Sequence, residues 1–239
     1  LVTARTNTPH LKIFREERQR SVILCIDTGP HMSFGTRGTF KSIQAARAAA
    51  LIGWAASKQH DRVGGVLFGN PATGLRYVRA TPGRRGLWRV LRFLTEPVEM
   101  GDTDESTLMA ALQHLESGSG TGSLIFVIAP VNQVTAGLER ILGNLRQRHD
   151  LVLLPVDDPA DRDLPAVGPV IFSNAAGELL EVDTDDEAGR EAFREDWEQR
   201  REELKQLCYR LRLGLIPVST SEDVHQSLVS GLRQYAGRR

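Results

Sequence analysis

Residues 21–38 constrain the fold more than any other stretch. They read Ser-Val-Ile-Leu-Cys-Ile-Asp-Thr-Gly-Pro-His-Met-Ser-Phe-Gly-Thr-Arg-Gly. Residues 22–26 form an unbroken apolar run with β-branched members, the pattern of a strand covered on both faces of a parallel sheet. The run stops at Asp27, and a loop of Gly, Pro, Ser and Thr follows. Lys41–Lys58 then reads as a helix with Ile43, Ala46, Ala50 and Trp54 along one face. A strand, a terminal Asp, a polar loop and a helix place that carboxylate at the carboxyl end of a sheet. Open α/β folds bind their ligands there.

The rest of the chain repeats this alternation. Residues 61–69 predict a second strand, and residues 75–80 an antiparallel return after the turn at 70–74. Residues 86–96 carry Leu87, Val90, Leu91 and Leu94 at helical spacing. An acidic loop at 101–105 runs into a helix that Asp102, Thr103, Ser106 or Thr107 would cap. Residues 118–123 are rich in Gly and Ser, but they follow a helix and open a strand. A dinucleotide fingerprint needs the reverse, so this run is a connector. A strand at 124–128, a helix at 134–148 and a strand at 151–156 come next.

Residues 169–173 and 178–182 predict a hairpin with its turn at 174–177. A long helix runs from the Asp183–Asp186 cap to about residue 213 with Phe193, Trp197, Leu204, Cys208 and Leu211 as its stripe. Asp186/Arg190 and Asp196/Arg200 are acid-first pairs four residues apart on it. A strand at 215–218 and a final helix capped by Ser221 complete the reading. The class is α/β: a mostly parallel sheet with helices on both faces, an antiparallel edge strand and an inserted hairpin at about 165–185.

Composition narrows the function classes. No apolar run approaches the ~18 residues of a membrane span. Cys25 and Cys208 are too few for a disulfide framework and sit in apolar patterns, as buried thiols of a reducing, cytoplasmic protein do. The chain opens on Leu1 rather than Met and reads as a piece of a longer protein. Net charge is zero. Yet residues 1–92 hold 16 Lys+Arg and 4 Asp+Glu, whereas residues 93–239 hold 14 and 26. Such asymmetry marks either halves that neutralise each other on folding or a charged partner.

Enzyme signatures are weak. A haloacid-dehalogenase-type phosphatase needs a second Asp two residues after the first, and that position is Gly29. There is no Gly-x-Ser-x-Gly elbow, zinc spacing or Walker lysine. His31 stands four residues after Asp27 and, with Asp102 or Asp104, offers an unusual metal-hydrolase site, since imidazole favours transition metals. The bland alternative is a loop hydrogen bond. Arg76, Arg79, Arg84, Arg85, Arg89 and Arg92 form a basic cluster that a nucleic acid would recognise, or that is a solvated face.

Residues 27–36 resemble the first metal-site loop of von Willebrand factor A domains, an Asp-x-Ser-x-Ser run after the first strand. More narrowly they resemble the bacterial and archaeal family called domain of unknown function 58, in which Asp-x-Ser-x-Ser-Met-x-Phe-Gly-Thr stands here as Asp27 to Thr36 with Gly29 and His31 in place of the serines. Four further runs recur in family order: residues 148–150, 158–165, 182–186 and 219–224. The resemblance spans about residues 5–235. It implies a von Willebrand A-like domain over 21–239, preceded by an extended lead-in over 1–20.

It also implies a degenerate cation site. Asp27 remains, with a hydroxyl from Ser106 or Thr103, which the sequence does not decide between. Ala129 stands where the family has an Asp. The expectation is no cofactor beyond a weakly held divalent cation, no enzymatic activity, and an interaction surface of Asp27, His31, Phe34, Arg37, Asp102 and Asp104. The partner that the family implies is a MoxR-type AAA+ ATPase, for which the chain would be an adaptor.

Overall fold

Strand β1 (Ser21–Asp27) is built from residues that exclude water on both sides: the six after Ser21 are all buried. It therefore needs neighbours on both edges and cover on both faces. The computed structural model supplies them and describes residues 19–98, 106–118, 120–173 and 178–237. After β1 come a 3-10 turn (Pro30–Ser33), α1 (Lys41–Lys58), β2 (Arg62–Phe68), β3 (Arg76–Pro82), α2 (Arg84–Phe93) and α3 (Ser106–Gly118). Then follow β4 (Leu124–Ile128), α4 (Ala136–Arg148), β5 (Asp150–Leu154), β6 (Val156–Asp157) and α5 (Pro159–Arg162). The hairpin β7 (Pro169–Ser173) and β8 (Leu179–Asp183) precedes α6 (Glu187–Leu211), β9 (Gly214–Leu215), β10 (Val218–Ser219) and α7 (Val224–Gly237).

The main sheet has the order β3-β2-β1-β4-β5-β9. Every pairing is parallel except β2 with β3, so the expected antiparallel edge strand is present. Alternate residues feed opposite layers. Val22, Leu24 and Ile26 join Ala45, Ala48 and Ile52 of α1, Leu87 and Val90 of α2, and Val224 and Leu228 of α7. Ile23 and Cys25 face Ala111, Leu112 and Leu115 of α3, Leu138 to Leu145 of α4, and Leu204 and Leu207 of α6. Helices thus cover both faces, as the alternation of strands and helices requires.

Several local expectations are corrected. The buried face of α1 is Ala45, Ala48, Ala49, Ile52 and Ala56, while Ile43 is 43% exposed. Small alanines let the helix lie close to the sheet, and the bulkier stripe is left at the flank. The apolar run 151–156 breaks at Pro155, which has no N–H for a ladder. Its end, β6, pairs with β10 as a separate two-stranded ribbon. Asp223, not Ser221, caps the last helix, accepting from His225 N at 2.8 Å. Asp186 caps α6 through Ala188 N and Gly189 N, so Arg190 turns to the Thr184 carbonyl instead. Asp196 and Arg200 do pair, at 2.9 Å. The hairpin is found one residue from its expected second strand, and its turn at 174–177 lies outside the described residues, as do residues 1–18 of the expected lead-in over 1–20.

Candidate functional site

The carboxyl edge of the sheet gathers the loops after β1, β2 and β4, with the turn after β6 beside them. Asp27 ends β1 and is only 6% exposed. Burying a carboxylate without partners is costly, and this one is hydrogen-bonded. Gly29 N donates to Oδ1 at 2.8 Å, and His31 Nε2 lies 3.0 Å from Oδ2. Thr28 ties the loop to β2, its N and Oγ1 both donating to the Phe68 carbonyl at 2.7 Å. Two glycines make this packing possible. A Cβ on Gly29 would stand 2.6 Å from His31 Cε1, so the imidazole occupies the space of a side chain at 29. Gly69 has φ +89°, and a Cβ there would meet Asp27 Oδ1 at 2.6 Å. Only glycine combines that backbone with that approach.

Ala129 follows β4 directly, is 1% exposed and contributes its backbone alone, donating to Leu154 O at 3.3 Å. Ser106 is the first residue of α3. A short connector returns α3 to the start of β4, so its first turn lies toward the carboxyl edge, 13 residues being about 20 Å of helix. Asp102, Thr103 and Asp104 lie outside the described residues. Among the described residues no three His, Cys, Asp or Glu are grouped as metal ligands. Phe34 and Arg37 are exposed on the loop after the 3-10 turn, Phe34 by 41%. Phe40 (51%) and Ile43 (43%) extend an apolar surface beside them, and Lys41 Nζ stands 5.3 Å from the Phe34 ring centre.

Sequence reading missed a second group, the clasp below this surface. Asp158 is 2% exposed and caps α5. It accepts from Thr36 N at 2.8 Å and from the hydroxyls of Thr36 and Thr220. Burial pushes its carboxyl up, but these donors together outweigh burial and hold it below the ordinary carboxylate range. Lys41, 7% exposed, places Nζ 2.7 Å from Asp161. Gln44 Nε2 donates to the carbonyls of Ser219 and Glu222 at 2.7 and 2.8 Å. Burial pushes the neighbouring Asp157 up despite its ion pair with Arg201. The Asp158-Pro159 start of a short helix was the available signal, but its partners stand 62 and 122 residues away.

The basic cluster lies elsewhere, on β3 and α2. Arg76 pairs with Glu96 at 2.7 Å and stacks on Phe93, and Arg84 stacks on Trp54. Arg79, Arg85 and Arg89 have no carboxylate partner among the described residues.

Residues 1–203 match the family described as "Protein of unknown function DUF58". The chain belongs to the DUF58 family. Uncharacterized proteins of Mycobacterium tuberculosis and Mycobacterium bovis are 31% identical to it over 196 residues, which is 80% of this chain. The chain spans 60% of the length of these curated relatives. Among solved structures, an aerotolerance-related membrane protein of Bacteroides fragilis is similar over 91% of this chain and 99% of its own, with TM-score 0.54 and 11% identity. BatB of Bacteroides thetaiotaomicron matches with TM-score 0.51 and 12% identity, over the same shares of the two chains. A von Willebrand factor type A protein of Catenulispora acidiphila matches with TM-score 0.50 and 9% identity, over 91% of this chain and 42% of its own. The DUF58 chain thus has the von Willebrand A-like fold. No helix among its described residues is long and apolar enough to cross a membrane.

Proposed function

We propose that this DUF58 chain is a non-enzymatic protein-interaction module whose carboxyl edge docks a partner by direct side-chain contacts, the cation site of its fold being a remnant. The observation that carries the reading is the state of Asp27. Its two oxygens already face Gly29 N and His31 Nε2, and the His31 ring fills the volume a serine at 29 would need. Gly29 and Ala129 bring no side-chain oxygen, and His31 brings nitrogen. That set does not fit magnesium, which demands near-octahedral oxygen coordination. The adjoining Phe34, Phe40 and Ile43, with Arg37 beside them, suit a partner offering apolar side chains and a carboxylate.

A MoxR-type AAA+ ATPase is the partner class that the family resemblance supports, which would place the chain in the cytoplasm, where ATP is. The test is affinity for such an ATPase with and without EDTA, for wild type and for Asp27→Ala, Phe34→Ala and Arg37→Ala. The expected result is binding that EDTA leaves unchanged and that Phe34→Ala weakens by about tenfold or more, a hot-spot loss. Raised salt weakens it further through Arg37. Binding abolished by EDTA would overturn the cation-free reading. Binding untouched by all three substitutions would remove the interface from this edge.

A further inference from the structure

The hairpin β7–β8 is an anomaly for a water-facing element. Ile171 is 64% exposed, Leu179 70% and Leu180 64%. In the register, Ile171 pairs with Glu181 and Phe172 with Leu180, so apolar side chains stand on both faces of a ribbon that joins no other described strand. At the base of the ribbon Thr184 Oγ1 donates to Gly168 O at 2.7 Å and accepts from Val167 N at 3.0 Å. Its charge is one-sided. Residues 164–189 hold six carboxylates and no Lys or Arg, and Asp163 just before them is paired with Arg194. Whatever covers this ribbon must be apolar at its centre and basic around it.

Among the described residues, one surface answers that description. Residues 77–95 hold five Arg and no Asp or Glu, and Arg76 just before them is paired with Glu96. On it Trp88 is 58% exposed, and a groove of about 550 Å³ is lined by Thr81, Pro82, Arg84, Arg85 and Arg89. The ribbon and the groove of one copy do not face each other. The ribbon leaves the fold beside β6 and α6, on the β5–β9 side, whereas α2 covers β2 and β3 at the opposite edge. Five strand spacings, about 24 Å, separate those edges.

We propose that the acidic, apolar hairpin of one copy docks in the α2 arginine groove of a second copy, a head-to-tail contact. Ribbon-to-ribbon pairing around a two-fold axis would instead set carboxylates against carboxylates. A heterologous contact leaves one free ribbon and one free groove at its ends, so it can propagate or close into a ring.

Sedimentation of the 239-residue chain over a concentration series tests this. Association is expected at low salt and should weaken steeply as salt is raised, since both surfaces are charged and exposed. Leu179→Asp/Leu180→Asp and Arg85→Glu/Arg89→Glu should each weaken association by about tenfold or more. Both change exposed positions outside the core, and unchanged circular dichroism and melting temperature would show intact folding. The deciding sample is a mixture of the two variants. The first keeps its groove and the second keeps its ribbon, so together they should form a dimer that grows no further. A wild-type chain that stays monomeric at low salt overturns the proposal. So does association that survives both variants, or a mixture that gives no dimer. Loss of vesicle binding by the hairpin variant, with self-association unchanged, would assign the ribbon to a lipid surface instead.

Discussion

At the scale of single residues, Asp27 and Asp158 are buried carboxylates with different means of support. Asp27 is held within its own loop, by groups two and four residues on, so its position was legible from the Ile26-Asp27-Thr28-Gly29 run. Gly69 was not, because its need for φ +89° arises from Asp27, 42 positions earlier, approaching it in space. Gly69→Ala should cost about 1–3 kcal/mol, the price of a non-glycine residue in that backbone region plus displacement of the carboxylate. A urea melt matching wild type would contradict this. Asp158→Asn should cost about 2–3 kcal/mol at neutral pH, because an amide cannot accept from all the same donors. Its pH dependence has a definite sign. The folded pKa of Asp158 lies below the unfolded value of about 3.9, so its contribution is present above that value and lost as pH falls through the folded pKa. The stability gap between wild type and Asp158→Asn should be constant from about pH 6 to 8 and shrink below about pH 4. A gap that widens on acidification would contradict the assignment.

At the scale of elements, periodicity located α6 but not the part of it that is covered. Leu204, Leu207 and Cys208 are buried, whereas Phe193 and Trp197, on the same expected stripe, are half-buried. Leu207→Ala should therefore cost about 2–5 kcal/mol, a large-to-small change in a closed core. Phe193→Ala should cost clearly less, because its site is already partly open to water, and equal losses in paired thermal melts would refute this. The same burial governs the thiols. Burial, with the Asp27 carboxylate adding to it, pushes the Cys25 thiol far up, and burial alone pushes Cys208 up to about 12. A thiolate is the reactive form, so neither should react with an aromatic disulfide reagent in the native state. Both should react in denaturant, and rapid native labelling of either would show that its strand or helix opens.

At the scale of the whole molecule, the opposite charges of the two halves are only partly joined by folding. Arg20 pairs with Asp150, and Lys41 with Asp161. The arginines of α2 and the carboxylates of the hairpin remain apart. Stability is uneven in the same way. The β1 and β4 strands lie at the centre of the sheet with both edges paired, whereas the hairpin has one ladder and pairs with no other described strand. Amide hydrogen exchange should be slowest in β1 and β4 and much faster in β7 and β8, because an uncovered ribbon opens without disturbing the core. Equal protection of ribbon and sheet would indicate a cover on the hairpin, as self-association provides. Comparing dilute and concentrated samples separates the two cases.

The order of strands and helices, the parallel sheet, the antiparallel edge and the placement of Asp27 at the carboxyl edge all follow from local pattern. A doubly covered strand, an amphipathic helix and a turn each leave a signature within a few residues of themselves. Pairing across distance leaves none. The grip of Thr36 and Thr220 on Asp158, the fit of His31 over Gly29, the split of the 151–156 run between two sheets, and the exposure of Ile171 and Leu179 depend on which surfaces the folded chain brings together. The apolar runs at 170–172 and 179–180 read the same whether a strand is covered or bare, and only packing distinguishes them.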